Sequence, residues 1–142
     1  MLNDPRMAGY LTRALNAEMA AVQQYLTQAS LTAMWQLKEY SSRFRRDAED
    51  ELGHAQRLIE RMLVLGIASN ATQLPPTRPG RSLEEMLLID RGLEIEVIRL
   101  YDEAANYCAR LRAQELQVLF ADLLQEELDH LRDLDHLLAE MH

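Results

Sequence analysis

Residues 49–66 read EDELGHAQRLIERMLVLG, and this stretch decides the fold. Leu58, Met62 and Leu65 recur in it at spacings of four and three, as on the buried face of an amphipathic helix. Glu51 and His54 fall on that face, where a helix that only packs would carry Leu or Val. We therefore expect a buried helix whose carboxylate and imidazole have a chemical role.

The same combination of two Glu and one His occurs twice, 76 residues apart. The first copy is Glu18, Glu51 and His54, and the second is Glu94, Glu127 and His130. Tyr25 and Tyr101 extend the match, because each follows the first Glu of its copy by seven residues. A match of this length at one offset indicates a duplicated structural unit.

Helical periodicity covers nearly the whole chain, and its breaks locate the connections. The phase of the apolar stripe is lost near Trp35–Lys38 and again near Leu111–Gln114, which predicts two short turns. Between them, Leu65–Arg81 is rich in Pro and Gly and predicts one long loop. Asp4 before a proline and Ser82 before Glu85 are typical helix N-caps.

These signals predict an all-α fold for residues 1–142, in a single domain. Two antiparallel helical hairpins are joined by the long loop, which crosses the bundle so that the second and third helices run parallel. The result is an antiparallel four-helix bundle with one long crossover between helices 2 and 3.

Composition narrows the choice of partners and location. The net charge is -8, with 23 acidic and 15 basic residues, which argues against nucleic acid and favours cations. A single cysteine suggests a reducing compartment. We find no signal-peptide pattern and no run of 18 apolar residues, so we expect a cytoplasmic protein without membrane association.

Four inward-facing carboxylates require an explanation, because an isolated buried carboxylate costs several kcal/mol. Few Lys or Arg lie on the same stripes, whereas the charge of two divalent cations would balance that of four Glu. A mixed shell of carboxylate and imidazole suits iron or manganese better than structural zinc. By pseudo-symmetry, Glu18 and His54 would bind one metal, Glu94 and His130 the other, and Glu51 and Glu127 would bridge.

The chain resembles the bacterioferritin family from about residue 4 to residue 140. The residues and segments that carry the resemblance are Glu18, QQYLTQA around Tyr25, Trp35, EDELGHAQRLIERMLVLG, Glu94 and QEELDHLRDL. All six metal ligands of the family's di-iron centre match. The resemblance implies a ferritin-like bundle and a ferroxidase that binds two Fe(II) per subunit. Such proteins oxidise Fe(II) with O2 or peroxide, and often store the product inside a 24-subunit shell.

Three departures from the family's pattern limit what is carried over. Leu52 replaces the methionine that holds haem between two subunits, so haem is not expected. Arg46 replaces a histidine that binds iron together with Asp50 on the inner surface. The sequence ends at His142, before the family's short fifth helix. We therefore expect a homodimer or larger homo-oligomer, and a mixed shell with a haem-binding bacterioferritin subunit is the alternative.

Other interpretations stay open at this point. Tyr25 is a candidate catalytic residue that would bond to the ligands or give an electron, with core packing as its alternative; for Tyr101 we favour packing. A rubrerythrin-like peroxide reductase and a non-catalytic, metal-binding partner subunit are the alternative functions. A bundle that has lost its metals and keeps a buried Glu and His network is the structural alternative.

Overall fold

The computed structural model describes residues 4–142, and within that range it contains four α-helices and no strand. They are α1 (Pro5–Met34), α2 (Lys38–Val64), α3 (Leu83–Arg110) and α4 (Gln114–Glu140). The two predicted turns and the predicted long loop are confirmed by these bounds. The chain divides into two compact units, Met1–Met86 and Leu87–His142; a single domain over residues 1–142 stays a prediction.

The first unit is built on an antiparallel hairpin of α1 and α2. Asp4 is the N-cap of α1: its side chain accepts hydrogen bonds from the backbone N–H groups of Arg6 at 2.9 Å and Met7 at 3.2 Å. Near the turn, the Ser41 hydroxyl on α2 donates a 2.7 Å hydrogen bond to the Ala29 carbonyl on α1. Its buried apolar side chains are Met7, Tyr10, Leu11, Ala14, Leu15, Ala21, Tyr25, Ala29, Phe44, Ala48, Ala55, Leu58, Met62 and Met86.

The crossover between α2 and α3 is held against α1 by three amide side chains. Gln24 binds the backbone of Arg78 in both directions: its Nε2 donates to the carbonyl at 2.7 Å, and its Oε1 accepts from the N–H at 3.3 Å. Gln28 Nε2 donates to the Pro79 carbonyl at 3.0 Å. Asn16 Oδ1 accepts from a backbone N–H of the same segment at 2.8 Å. The long loop therefore has a defined path along one helix.

Two glycines allow this crossover to begin and end where it does. Gly66, directly after α2, has φ of 73°, a left-handed conformation that commonly ends a helix. Gly80 has φ of 103°, and a Cβ there would lie 2.9 Å from the Met86 backbone nitrogen. Any other residue at Gly80 would be strained in its backbone and would clash with the first turn of α3.

The second unit is an antiparallel hairpin of α3 and α4. Arg91, near the beginning of α3, forms a 2.6 Å ion pair with Asp135, near the end of α4. Closer to the turn, the Tyr101 and Phe120 rings pack with their centroids 6.0 Å apart. Its buried apolar side chains are Leu87, Val97, Tyr101, Ala104, Cys108, Ala113, Leu116, Phe120, Leu123 and Leu134.

The turns of the two hairpins have the same geometry although neither contains glycine. Gln36 has φ of 63° and Arg112 has φ of 57°, and these residues lie 76 positions apart. In each turn the next residue donates its N–H, at 2.9 Å, to the carbonyl five positions earlier. This is the hydrogen bond of a Schellman-type helix end. The duplication seen in the sequence therefore extends to the backbone.

No helix within residues 4–142 is both long enough and apolar enough to cross a lipid bilayer.

Candidate metal centre

The first set of candidate ligands comes together inside the first hairpin. Glu18 lies on α1, and Glu51 and His54 lie one turn apart on α2. His54 Nδ1 is 3.2 Å from Glu18 Oε2 and 3.3 Å from Glu51 Oε1. All three side chains are buried. The same ring nitrogen thus faces both carboxylates, in a group that we call the first triad.

The second set comes together in the same way inside the second hairpin. Glu94 lies on α3, and Glu127 and His130 lie one turn apart on α4. His130 Nδ1 is 3.3 Å from Glu127 Oε1 and 3.8 Å from Glu94 Oε1. We call this group the second triad. In both hairpins, then, a Glu of the first helix lies close to a His of the second helix, and that His also lies close to a Glu of its own helix.

The donor atoms of each triad are spaced for a shared cation. In each triad one oxygen or nitrogen atom per residue lies within 4.8 Å of the others. Two ligand atoms bound at about 2.1 Å and at right angles around one ion lie about 3 Å apart. The contacts of 3.2 and 3.3 Å fit this spacing. The Glu94 contact is longer, at 3.8 Å, so Glu94 must move closer to His130 to share an ion with it.

The second triad is the more open of the two. The His130 side chain is 15% exposed, against 3% for His54. Burial disfavours the imidazolium form of His130, but the Glu127 and Glu94 carboxylates beside the ring stabilise that form more strongly. Together they raise the pKa of His130 to about 12. The raised pKa favours the imidazolium form of His130, whose positive charge partly offsets the negative charge of the two carboxylates.

The chemistry of the donor set fits a hard or borderline divalent cation. Each triad offers carboxylate oxygens and one imidazole nitrogen, which suit iron, manganese and zinc. The chain's one cysteine, Cys108, lies on α3 fourteen residues beyond Glu94, so the triads contain no thiolate. The donor set is thus far from the sulfur-rich sites of structural zinc.

The remaining residues singled out from the sequence fall into buried and exposed groups. Tyr25 is buried and packs on Phe44, with ring centroids 6.4 Å apart and planes 19° apart. Leu52 is 52% exposed on α2. Asp50 and Arg46 are also exposed. The burial of Tyr25, on the same helix as Glu18 of the first triad, keeps it among the candidates for the site.

The sequence did not reveal the role of the amide side chains on α1. Gln24 and Gln28 are as deeply buried as the apolar core, because the crossover backbone covers them. In the sequence, the residue type and spacing of Gln24 and Gln28 are typical of the exposed polar face of a helix. A long Pro-rich loop that must satisfy its backbone polar groups was the one available hint.

Comparison with known proteins identifies the fold and the family. The ferritin-like domain model matches residues 8–142. Bacterioferritin of Rhodobacter capsulatus is 32% identical over 130 residues, which cover 92% of this chain and 81% of that protein. The chain belongs to the bacterioferritin family. The bacterial ferritin of Synechocystis sp. is also similar to it, at 33% identity over 131 residues, 92% of this chain and 84% of the relative.

A solved bacterioferritin confirms the predicted fold class. The 2.6 Å structure of the Rhodobacter capsulatus protein matches with a TM-score of 0.94 and 30% identity, covering 98% of this chain and 87% of that one. That protein was solved with a metal-free dinuclear site and with haem iron in a crystallographic special position. The chain thus has the all-α, ferritin-like four-helix fold of bacterioferritins. Iron binding, which the family's name implies, is consistent with the carboxylate and imidazole groups of the two triads.

Proposed function

We propose that this protein is a ferroxidase that binds two Fe(II) ions per chain and oxidises them with O2 or peroxide, for iron storage or detoxification. The observation that carries the proposal is the duplicated triad, in which a histidine Nδ1 faces a Glu of its own helix and a Glu of the neighbouring helix. Membership of the bacterioferritin family supports iron as the metal.

Each triad supplies the terminal ligands of one iron. Glu18 and His54 would bind the first Fe(II), and Glu94 and His130 would bind the second. On the pseudo-symmetry of the sequence alone, Glu51 and Glu127 would be the bridging ligands. The dinuclear site of the Rhodobacter capsulatus bacterioferritin supports the proposal of two metal ions per chain.

Charge explains why these side chains favour metal in such a buried place. Two Fe(II) ions carry four positive charges, which neutralise the four Glu carboxylates and remove the cost of burying them. In the metal-free protein, the positive charge of the His130 imidazolium offsets part of the carboxylate charge. The Nδ1 proton must leave when Nδ1 becomes a metal ligand. Iron binding is therefore coupled to proton release at the second triad.

Tyr25 is the proposed protein electron donor of the first hairpin. Its ring is buried against Phe44, so a phenoxyl radical there is shielded from solvent. Its position seven residues after Glu18 places it two turns along the same helix face. Loss of an electron from Tyr25 would supplement the electrons that Fe(II) gives to the oxidant.

Haem has no proposed role, because Leu52 offers no donor atom where the family's pattern has methionine. We propose a homo-oligomer in the cytoplasm, where reducing conditions maintain Fe(II) as substrate. A mixed shell with a haem-binding bacterioferritin subunit is the alternative assembly, and it leaves the two triads with the same role.

Anaerobic titration with Fe(II), followed by addition of O2, tests the proposal. We expect saturation at two ions per chain, rapid oxidation and no Soret band from stoichiometric haem. In the variant Glu94→Ala/His130→Ala, which removes the terminal ligands of the second triad, saturation should fall to one ion.

Three results would contradict this function. Saturation of the native protein at zero or one ion would exclude a dinuclear site. Two bound ions without oxidation would favour the non-catalytic subunit, and fast turnover of peroxide with an external reductant would favour a rubrerythrin-like enzyme.

A further inference from the structure

Tyr101 occupies the position in the second hairpin that Tyr25 occupies in the first. Each tyrosine follows the first Glu of its triad by seven residues. Each packs its ring on a phenylalanine of the neighbouring helix, with centroids 6.0 Å apart for Tyr101 and Phe120, and 6.4 Å for Tyr25 and Phe44. The duplication has therefore preserved a tyrosine and its aromatic neighbour together with the ligands.

Burial makes a tyrosine at this position chemically informative. Tyr101 is 0% exposed, at a place where Phe or Leu would pack without a hydroxyl. Taking a hydroxyl from water into the protein interior costs about 1–3 kcal/mol unless it is hydrogen-bonded. Packing by itself gives no reason to keep the hydroxyl in both hairpins. Tyr25 and Tyr101 share an oxidisable phenol and the same position relative to the first Glu of their triads.

Geometry also brings the phenol toward the ligands. Seven residues correspond to about 10 Å along a helix axis, and side chains tilt toward the helix N-terminus. Tyr101 therefore leans back toward Glu94, which is 2% exposed and belongs to the second triad. Tyr101 and Glu94 are both buried.

Other tyrosines lack this combination. Tyr10 is also buried, but it precedes Glu18 by eight residues and leans away from it. Its hydroxyl accepts a 3.2 Å hydrogen bond from Arg6, and the Arg13 guanidinium lies 4.9 Å from its ring centroid. Two nearby cations disfavour oxidation of that ring. Tyr10 therefore provides a matched control.

We infer that Tyr101 is a second electron donor in the reduction of O2, equivalent to Tyr25; this rests on the proposed ferroxidase function. Two Fe(II) ions give two electrons, which reduce O2 only to hydrogen peroxide. Tyr25 and Tyr101 each give one more electron and one proton, and two further protons come from solvent. One O2 then becomes two waters, leaving two Fe(III) ions and two neutral tyrosyl radicals.

A single-turnover experiment tests this role. The protein is loaded with two Fe(II) per chain, mixed with O2 and freeze-quenched for electron paramagnetic resonance, with hydrogen peroxide assayed in parallel. We expect Tyr25→Phe and Tyr101→Phe each to retain half of the native tyrosyl radical, and the double variant none. Peroxide should rise with each substitution and approach one per two Fe(II) in the double variant.

Two controls separate redox chemistry from damage to the site. Tyr10→Phe should leave the radical yield and the peroxide yield unchanged. Co(II) titration should show two ions per chain in every variant, which demonstrates intact triads without any turnover. Ring-deuterated tyrosine should narrow the radical signal and thereby identify tyrosine as its source.

The outcomes distinguish failure of this inference from failure of the proposed function. If the native protein does not oxidise Fe(II), the ferroxidase proposal fails and this inference fails with it. If the native protein oxidises Fe(II) but Tyr101→Phe has native radical and peroxide yields, the role of Tyr101 is wrong while the ferroxidase stands. A tyrosyl radical that persists in the double variant also overturns the inference.

Discussion

The two hairpins share a skeleton but differ in their surroundings. Both contain a triad, a Tyr and Phe pair and a glycine-free turn at the same relative positions. Residues 1–86 carry 10 acidic and 10 basic side chains, whereas residues 87–142 carry 13 acidic and 5 basic ones. The whole net charge of -8 therefore belongs to the second unit, while the chemistry-bearing positions are the same in both.

A second difference concerns the polar contacts of the first helix in each pair. Asn16, Gln24 and Gln28 on α1 hold the crossover, whereas the corresponding positions on α3 are Gly92, Leu100 and Ala104. The third difference is the deeper burial of His54 compared with His130. The two hairpins thus carry the same residues at the proposed ligand positions, and different residues where α1 contacts the crossover.

The largest expected effect tests whether the two triads are equivalent. Glu51→Ala and Glu127→Ala should each abolish rapid Fe(II) oxidation, because each removes a proposed bridging ligand. Loss of partners that only orient ligands costs about 10–100-fold, so we expect a decrease of at least about 100-fold, measured by stopped-flow absorbance. The exposed neighbours provide matched controls, and Glu49→Ala and Glu126→Ala should react at the native rate. A normal rate in either bridging variant would show that the two hairpins contribute unequally.

A smaller effect is expected from the contact between Gln28 on α1 and the crossover. Gln28→Ala removes the donor to the Pro79 carbonyl and should lower the free energy of unfolding by about 1–3 kcal/mol, measured by urea denaturation of the metal-free protein. The exposed Gln23→Ala should change it by less than about 0.5 kcal/mol. Equal stability of the two variants would mean that the crossover contributes little to the first unit.

Proton release on metal binding tests the charge of His130 in the second triad. The raised pKa of His130 keeps it protonated in the metal-free protein at about pH 8, so metal binding must displace that proton. Binding of Co(II) in weakly buffered solution should release about one more proton per chain in the native protein than in His130→Gln. Identical release from both proteins near neutral pH would contradict a charged His130.

The smallest expected effect tests the repeated turn. Gln36 and Arg112 both adopt a left-handed conformation that costs non-glycine residues about 1 kcal/mol. Gln36→Gly and Arg112→Gly should each raise the free energy of unfolding by about 0.5 kcal/mol, because relief of this strain exceeds the extra entropy that glycine loses on folding. Thermal denaturation of the two variants should give the same shift. Opposite shifts would show that the turns are not energetically equivalent.

The helices and the triads were predictable because they depend on periodicity. Glu18, Glu51 and His54 lie in phase with Leu and Ala on their helices, so the faces that they share follow from 3.6 residues per turn. The turns after Met34 and Arg110 were located by a loss of phase, although no Gly or Pro marks them. The 76-residue offset then assigned the second hairpin from the first.

Other features depend on distances between side chains and could not be predicted in this way. The path of the crossover along Gln24 and Gln28 results from hydrogen bonds between residues more than 50 positions apart. The packing of Tyr101 on Phe120 needs the pairing of two helices and the rotamers of both rings. The sequence favoured packing as the whole role of Tyr101, and the matched aromatic pair in both hairpins supports more than that.

The sequence by itself determined the four helices, their turns and the identity of the six candidate ligands, because helical period and duplication are properties of residue spacing. Only the tertiary structure decided how far Nδ1 of each histidine lies from its carboxylates, and that their proximity raises the pKa of His130. Those properties depend on burial and on distances of a few ångströms, since desolvation and Coulomb interactions vary steeply over that range. Spacing along a chain does not specify them.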